Sequence, residues 1–325
     1  MHEFCSKQPV HFVEVGAACS EEEIKVLSLK LIFDFCEMMA AAQQEHQDKP
    51  IIVCPESLAC STTKNVVFLI GAFLMARCGN SADAVKDLFE SVIPLSIMTS
   101  KEILPLTKCM DDGLKALQLA THLSWLQSDQ DFDEDVFDIE RSLHYANEAN
   151  GNIHTLVPGK LLYFLSPHSL QAYHAWVDVC EASGRQTRQF SADYLADLLL
   201  DLDVSVVACL SECSSAHAAA FADHGLDVHD LRLDPRRPSM LRAMDRLLAL
   251  ARAAPGAVAV FCGGDGGAEW PAHVGTLAAA YLMSDFGFDA AAADAWLLMV
   301  CPLLCCGGAA SLAGLEAGDG AAGVA

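Results

Sequence analysis

The residues best placed to do chemistry lie between Ala257 and Met283, in the segment AVAVFCGGDGGAEWPAHVGTLAAAYLM. An apolar run ends at Cys262, a glycine-rich turn holds Gly263, Gly264, Gly266 and Gly267, and an apolar stretch of helical character follows. A strand that delivers a cysteine into a loop capping a helix could hold a phosphate ester. The thiolate would attack phosphorus, while loop amides and the helix dipole would cradle the oxygens. Asp234, in the segment LRLDPRRPSM some thirty residues upstream, is of the right type to protonate a leaving alkoxide, although from the residues alone a surface pairing with Arg236 or Arg237 is much the better explanation. The charge in the loop is wrong for that chemistry. No Lys or Arg follows Arg252, and the loop carries Asp265 and Glu269 instead. GGDGGA also lacks the spacing of a dinucleotide-binding turn.

Other candidate constellations read as structure. His217, His224 and His229 match no zinc spacing, and Cys305-Cys306 are adjacent, a poor geometry for one metal. The acidic run Asp129 to Asp138 lacks the calcium-loop pattern and reads as a solvated face. We expect no metal and no cofactor.

The elements that must position Cys262 come from a chain of 325 residues, long enough for two domains. Strands and helices alternate in both halves, which indicates an α/β fold. In the first half, helices are expected over Glu21 to Gln44 (with Ile24, Leu27, Leu31, Phe35 and Met38 on one face), Asn65 to Arg77, Ser81 to Val92 and within Lys101 to Gln127. A strand is expected at Pro50 to Cys54, a loop at 55 to 64 with caps at Ser61 to Thr63, and a connecting helix at Arg141 to Ala149 stopped by Asn150-Gly151. In the second half, strands are expected at Lys160 to Phe164, Val204 to Leu210, Val228 to Leu233 and around Val258. Helices are expected at Ser191 to Asp201, Ser215 to His224, Met240 to Ala253, and from Thr276 and Asp289 onward.

Composition narrows the partners. The formal charge of -23 argues against nucleic acid and suits a basic peptide or protein face. The fourteen cysteines sit mostly in apolar runs, and the N-terminal MHEFCSKQPV has no apolar signal core, so an intracellular, reducing setting in nucleus or cytoplasm is expected. Mean hydropathy is high at +0.29. Ala295 to Leu315 is long enough to span a bilayer, but it contains Pro302, Gly307 and Gly308 and has no basic flank, so a buried helix plus loop is expected and no membrane contact. Lysine ceases after Lys160 and arginine supplies all later positive charge, a break that accompanies a domain boundary.

The stretch Asp131 to His168 resembles the domain-linking region of the mitotic-exit, or cell-division-cycle-fourteen, family of dual-specificity protein phosphatases. Phe132, Phe137, Asp138, His144, Tyr145, Asn150, Gly151, Val157 to Lys160, Pro167 and His168 carry the likeness, and Asn65 to Ala72 is similar to that family's first-domain helix. The resemblance implies two tandem phosphatase-like α/β domains: a non-catalytic one over 1–134, a linker helix over 135–155, and a domain over 156–325 that carries the chemistry. It places Cys262 at the nucleophile, Asp234 at the general acid, Gly263, Gly264, Gly266 and Gly267 in the phosphate loop, and Gly275-Thr276 at the helix start, with Thr276 binding phosphate.

The departures fall on the charged residues. The family signature is His-Cys-x5-Arg. Here Phe261 stands for the histidine and Ala268 for the arginine, Glu269 to His273 reads as an insertion, and Ala309-Ala310 occupy the place of paired glutamines. A thiol without cationic support should titrate near its free value, about 8.5. Two readings follow: a pseudophosphatase that binds phosphoprotein or basic protein partners, or an active protein phosphatase for proline-directed phosphoserine sites, in which Arg232, Arg236 or Arg237 folds over the phosphate.

Overall fold

In the computed structural model the described residues are 11–15, 27–55, 60–92, 104–126, 137–170, 174–180, 186–232, 237–262 and 270–304. The chain divides into two compact units, Met1–Gln130 and Asp131–Ala325.

In the first unit, β1 (His11–Val15) pairs in parallel with β2 (Ile51–Pro55), and four helices accompany them: α1 (Leu29–Glu45), α2 (Cys60–Cys78), α3 (Ala82–Val92) and α4 (Leu104–His122). The helix expected from Glu21 begins at Leu29 instead. Ser28 is its N-cap, its hydroxyl accepting from the Leu31 N–H, and Glu21 to Val26 lie outside the described residues. The buried face therefore shifts to Leu29, Ile32, Phe35, Cys36, Met39 and Ala42, and Met38 turns outward. The loop expected up to residue 64 ends early, since α2 already includes Ser61 to Thr63. Gly71 lets α2 approach its neighbours: a Cβ there would sit 3.1 Å from Val85 and 3.2 Å from Leu114.

The second unit opens with α5 (Ile139–Ala146), whose N-cap Asp138 accepts from the Arg141 N–H. The chain then forms β3 (Ile153–Val157), β4 (Leu161–Phe164), a hairpin of β5 (Trp176–Cys180) and β6 (Gln186–Phe190), α6 (Ala192–Asp201), β7 (Val204–Cys209), α7 (Ser215–Asp223), β8 (Asp227–Asp230), α8 (Arg237–Ala253), β9 (Ala257–Phe261), α9 (Trp270–Phe286) and α10 (Ala290–Val300). Five strands make one mixed sheet in the order β3-β4-β9-β7-β8, with β3 antiparallel to β4 and the rest parallel. Strand β3 and the β5–β6 hairpin were not anticipated. All five residues of β3 are buried, so it lacks the polar alternation that marks a half-exposed strand.

The sheet is covered on both faces. Phe164, Leu195, Leu199, Val207, Cys209, Phe221, Ala259 and Phe261 form one core cluster. On the alternate positions Tyr163, Val206, Val258 and Val260 are equally buried; α8 packs on β9, and α9 and α10 pack on β3. Two side chains tie α10 to β3: the Trp296 Nε1–H donates to the Leu156 carbonyl at 2.8 Å, and His154 Nδ1 lies 3.1 Å from the Val300 carbonyl. The apolar stretch from Ala295 is accordingly a buried helix as far as Val300, and among the described residues no helix is long and apolar enough to cross a membrane.

Gly256 leads into β9 where the backbone of Asp203 passes. A Cβ at Gly256 would lie 2.2 Å from the Asp203 carbonyl oxygen, which must stay in place to accept from the Ala257 N–H at 2.9 Å. Gly256→Ala is expected to destabilise the fold by about 2 kcal/mol, the usual cost of forced overpacking, read as a lower urea midpoint. Burial, ahead of the Val300 hydrogen bond and Glu148, holds the His154 pKa below its usual 6.5. The unfolded chain thus binds the proton more readily, so this contribution to stability is present above about pH 6.5 and is lost as pH falls below it. In urea titrations between about pH 5 and 7, His154→Gln should flatten that part of the stability profile.

Candidate functional site

Strand β9 reads AVAVF, is buried at every position and is paired on both edges, by β4 and by β7. It ends at the carboxyl edge of the sheet, where ligands of open α/β sheets are held. The Phe261 carbonyl accepts from the Leu210 N–H at 2.9 Å, which closes the β7–β9 ladder and fixes the point from which Cys262 emerges. The thiol is only partly exposed.

That environment is neutral. Burial pushes the Cys262 thiol up to about 12, and Cys209, on the neighbouring strand, pushes in the same direction. Among the described residues no cation acts on it. The expectation of a near-free thiol is corrected here: desolvation adds to the lost cationic support. At pH 7 the protonated thiol is therefore the dominant form. Tyr163, on β4, reports the same setting: burial raises its phenol strongly, with smaller pushes from Cys262 and Cys301. Cys213, in the loop after β7, has a thiol also raised to about 12, chiefly by burial and with Cys209 pushing in the same direction.

Thr276 is not at a helix start. Helix α9 begins at Trp270, so Trp270 to His273, expected as a loop insertion, form its first turn. Thr276 is buried within this helix and its hydroxyl donates to the Ala272 carbonyl at 2.9 Å, which uses its one proton on the backbone of its own helix. Arg232, a candidate to reach over a phosphate, is pinned instead: its Nε donates to Asp230 Oδ2 at 2.6 Å and its side chain is largely in solvent. Asp234, Arg236, Gly263, Gly264, Gly266, Gly267, Ala268 and Glu269 lie outside the described residues, and of Arg237 only its place at the start of α8 is described.

The histidines are scattered in role. His224 Nδ1 is 2.8 Å from the Ala220 carbonyl, and His229 Nε2 is 2.8 Å from Asp227. Among the described residues no group of three or more His, Cys, Asp or Glu side chains is arranged to hold a metal ion. Of the acidic run, Asp138 serves as a helix cap, and residues 129–136 lie outside the described ones.

Sequence reasoning missed Tyr163 and Cys209 as neighbours of Cys262. The signal was the alternation of two apolar strands, VSVVAC and AVAVF, that each end in a cysteine or next to one. Their adjacency emerges only from the strand order. The thiol chemistry is testable directly. Alkylation of Cys262 by iodoacetamide, followed by peptide mass spectrometry, should accelerate about tenfold per pH unit from 7 to 10 without a plateau. A plateau near neutrality would show a thiolate stabilised by some group not among these neighbours.

No family model matches the chain. Individual proteins do. The tyrosine-protein phosphatase cdc-14 of Caenorhabditis elegans is 24% identical over 298 residues, which cover 86% of this chain and 38% of that protein. The human dual specificity protein phosphatase CDC14C is 23% identical over 254 residues, 75% of this chain and 50% of that protein. The zebrafish dual specificity protein phosphatase CDC14AB is 29% identical over 169 residues, 52% of this chain and 25% of that protein. The chain thus spans half or less of the length of these relatives. Along most of its length, this α/β chain resembles the CDC14 dual-specificity phosphatases.

Proposed function

We propose that this chain is a catalytically impaired protein of the dual-specificity phosphatase type, with tandem phosphatase-like domains, which binds a phosphoprotein or a basic protein partner without efficient turnover. One observation carries the reading. Cys262 stands where the nucleophile is expected, at the carboxyl edge of the sheet, yet burial keeps it protonated and among the described residues no cation acts on it.

The sequence supports the same reading. Ala268 occupies the position at which the resemblance expects the phosphate-binding arginine, and Phe261 that of the histidine. An arginine there would supply a bidentate, charge-assisted clamp that tightens as charge develops. Loss of one preorganised oxyanion contact costs about 10² to 10³ in rate. The shortage of thiolate multiplies that loss, because the thiolate is the attacking species. A basic partner suits the charge of -23, which would draw cationic segments by long-range attraction.

Purified full chain incubated with p-nitrophenyl phosphate should release no more product than Cys262→Ser does. Turnover that Cys262→Ser abolishes would overturn the reading and establish an active cysteine phosphatase. Binding of basic phosphopeptides, measured by fluorescence anisotropy, should weaken as salt rises through the range in which the screening length falls from about 10 Å to about 3 Å. Affinity that ignores salt would remove the electrostatic half of the proposal.

A further inference from the structure

We infer that Asn150-Gly151, in the turn between α5 and β3, is a self-modification site: Asn150 loses ammonia through a cyclic imide, with water as the co-reactant and His144 as the proton donor to the leaving nitrogen. The inference does not depend on whether Cys262 turns over a phosphate ester.

The nucleophile is the Gly151 backbone nitrogen. Gly151 is buried, and among the described residues its N–H has no hydrogen-bond partner. The N–H groups on either side of it do: Asn150 and Asn152 both donate to the Asn147 carbonyl, at 2.9 Å and 3.1 Å. An unpaired buried donor is costly, and ring closure removes it by turning that nitrogen into an imide. The backbone requires glycine at this point. Its φ is +136°, and a Cβ would lie 3.0 Å from Leu198. The absence of a side chain also leaves the nitrogen unhindered toward Cγ of the residue before it.

The leaving group has a proton donor beside it. Asn150 Nδ2 donates to the His144 carbonyl at 3.1 Å and lies 3.4 Å from His144 Nδ1. His144 is exposed and Asn150 partly so, which gives both access to water. In the intact amide the nitrogen lone pair is delocalised and takes no proton. Once the Gly151 nitrogen has added to Cγ, Nδ2 is an amine with a free lone pair, and an Nδ1–H at this position can protonate it.

The step needs no oxidant or reductant. The Gly151 N–Cγ bond forms, and that nitrogen gives its proton to solvent. The Cγ–Nδ2 bond breaks, and ammonia leaves with the proton from His144, which solvent restores. Water then opens the imide. Addition at Cγ leaves aspartate; addition at the main-chain carbonyl carbon of Asn150 leaves isoaspartate, in which the chain runs through the side chain. Either product puts a carboxylate, which cannot donate, beside a carbonyl of the last turn of α5, where the helix dipole disfavours negative charge. The turn thus ages into a form that fixes the end of α5 less firmly.

The full chain is held at neutral pH over several days and mapped by peptide mass spectrometry, with isoaspartate read by labelled methyl transfer from an isoaspartyl methyltransferase. Asn150 should carry the mass gain of amide hydrolysis, largely as isoaspartate, while Asn147 and Asn152 stay intact. His144→Gln, which keeps the backbone carbonyl, should slow the conversion about tenfold. Asn150→Gln, whose longer side chain closes the ring poorly, should accumulate no isoaspartate there. Asn150 left intact in the folded chain, under conditions that convert it in the urea-unfolded chain, overturns the inference, and so does a rate that His144→Gln leaves unchanged.

Discussion

The constraint on which this structure turns is the enclosure of β9. A strand with sheet partners on both edges and apolar layers on both faces leaves what emerges from its end largely desolvated. Cys262 inherits that environment, and an uncharged thiol is the form it favours. A helix terminus and peptide amides can offset part of such a penalty, but a buried anion is held mainly by a formal opposite charge. The neighbours that can be named are the Cys209 sulfur and the Tyr163 phenol, and the phenol is itself pushed toward its neutral form. Position and reactivity are therefore separate properties at this site: the fold supplies the first by hydrogen-bond register, and side-chain charge must supply the second.

Several arginines among the described residues are paired away from Cys262. Arg188 is held by Asp178 and the Ala149 carbonyl while it lies over Trp176; Arg252 binds Asp285; Arg141 reaches Asp201; Arg232 binds Asp230. These pairs are exposed, and each contributes little to stability. With 43 acidic residues against 20 basic ones, an acid is close to most cations. A guanidinium recruited to the sheet edge would have to leave such a partner and be desolvated as well.

How much of this was legible in the sequence varies with the local code. Helices announced by a capping side chain fall near their expected starts: Ser191, Ser214 and Asp289 each accept from the N–H three residues on. The same contact is made at Ser28, whose hydroxyl caps α1. Strand β3 was illegible because it is buried throughout, and its partner β4 was found one residue off. The start of α9 was misplaced for a different reason. The family likeness put the helix at Gly275-Thr276, yet Pro271 fits the first turn of a helix, where its missing N–H costs nothing, and the chain follows that local preference. The place of Cys262 at a strand end was readable from the apolar run alone. Its ionisation was readable only in sign, because the extent of burial depends on β4 and β7, which are distant in sequence.

Phe261 shows what apolar packing contributes at the end of β9. It is fully buried and packs with Phe164 at 5.1 Å and Phe221 at 5.8 Å between ring centroids, and Phe164 and Phe221 meet edge to face at 6.0 Å. Aromatic contacts of this kind each add about 1 kcal/mol beyond the area they bury. A histidine at the same point would place a polar ring among three strands and two helices and would need a hydrogen-bond partner there. Replacing it with phenylalanine removes that demand and fills the space with apolar surface. Phenylalanine at this point favours the stability of the sheet over the electrostatics of its edge, and the function proposed above asks for no more than that.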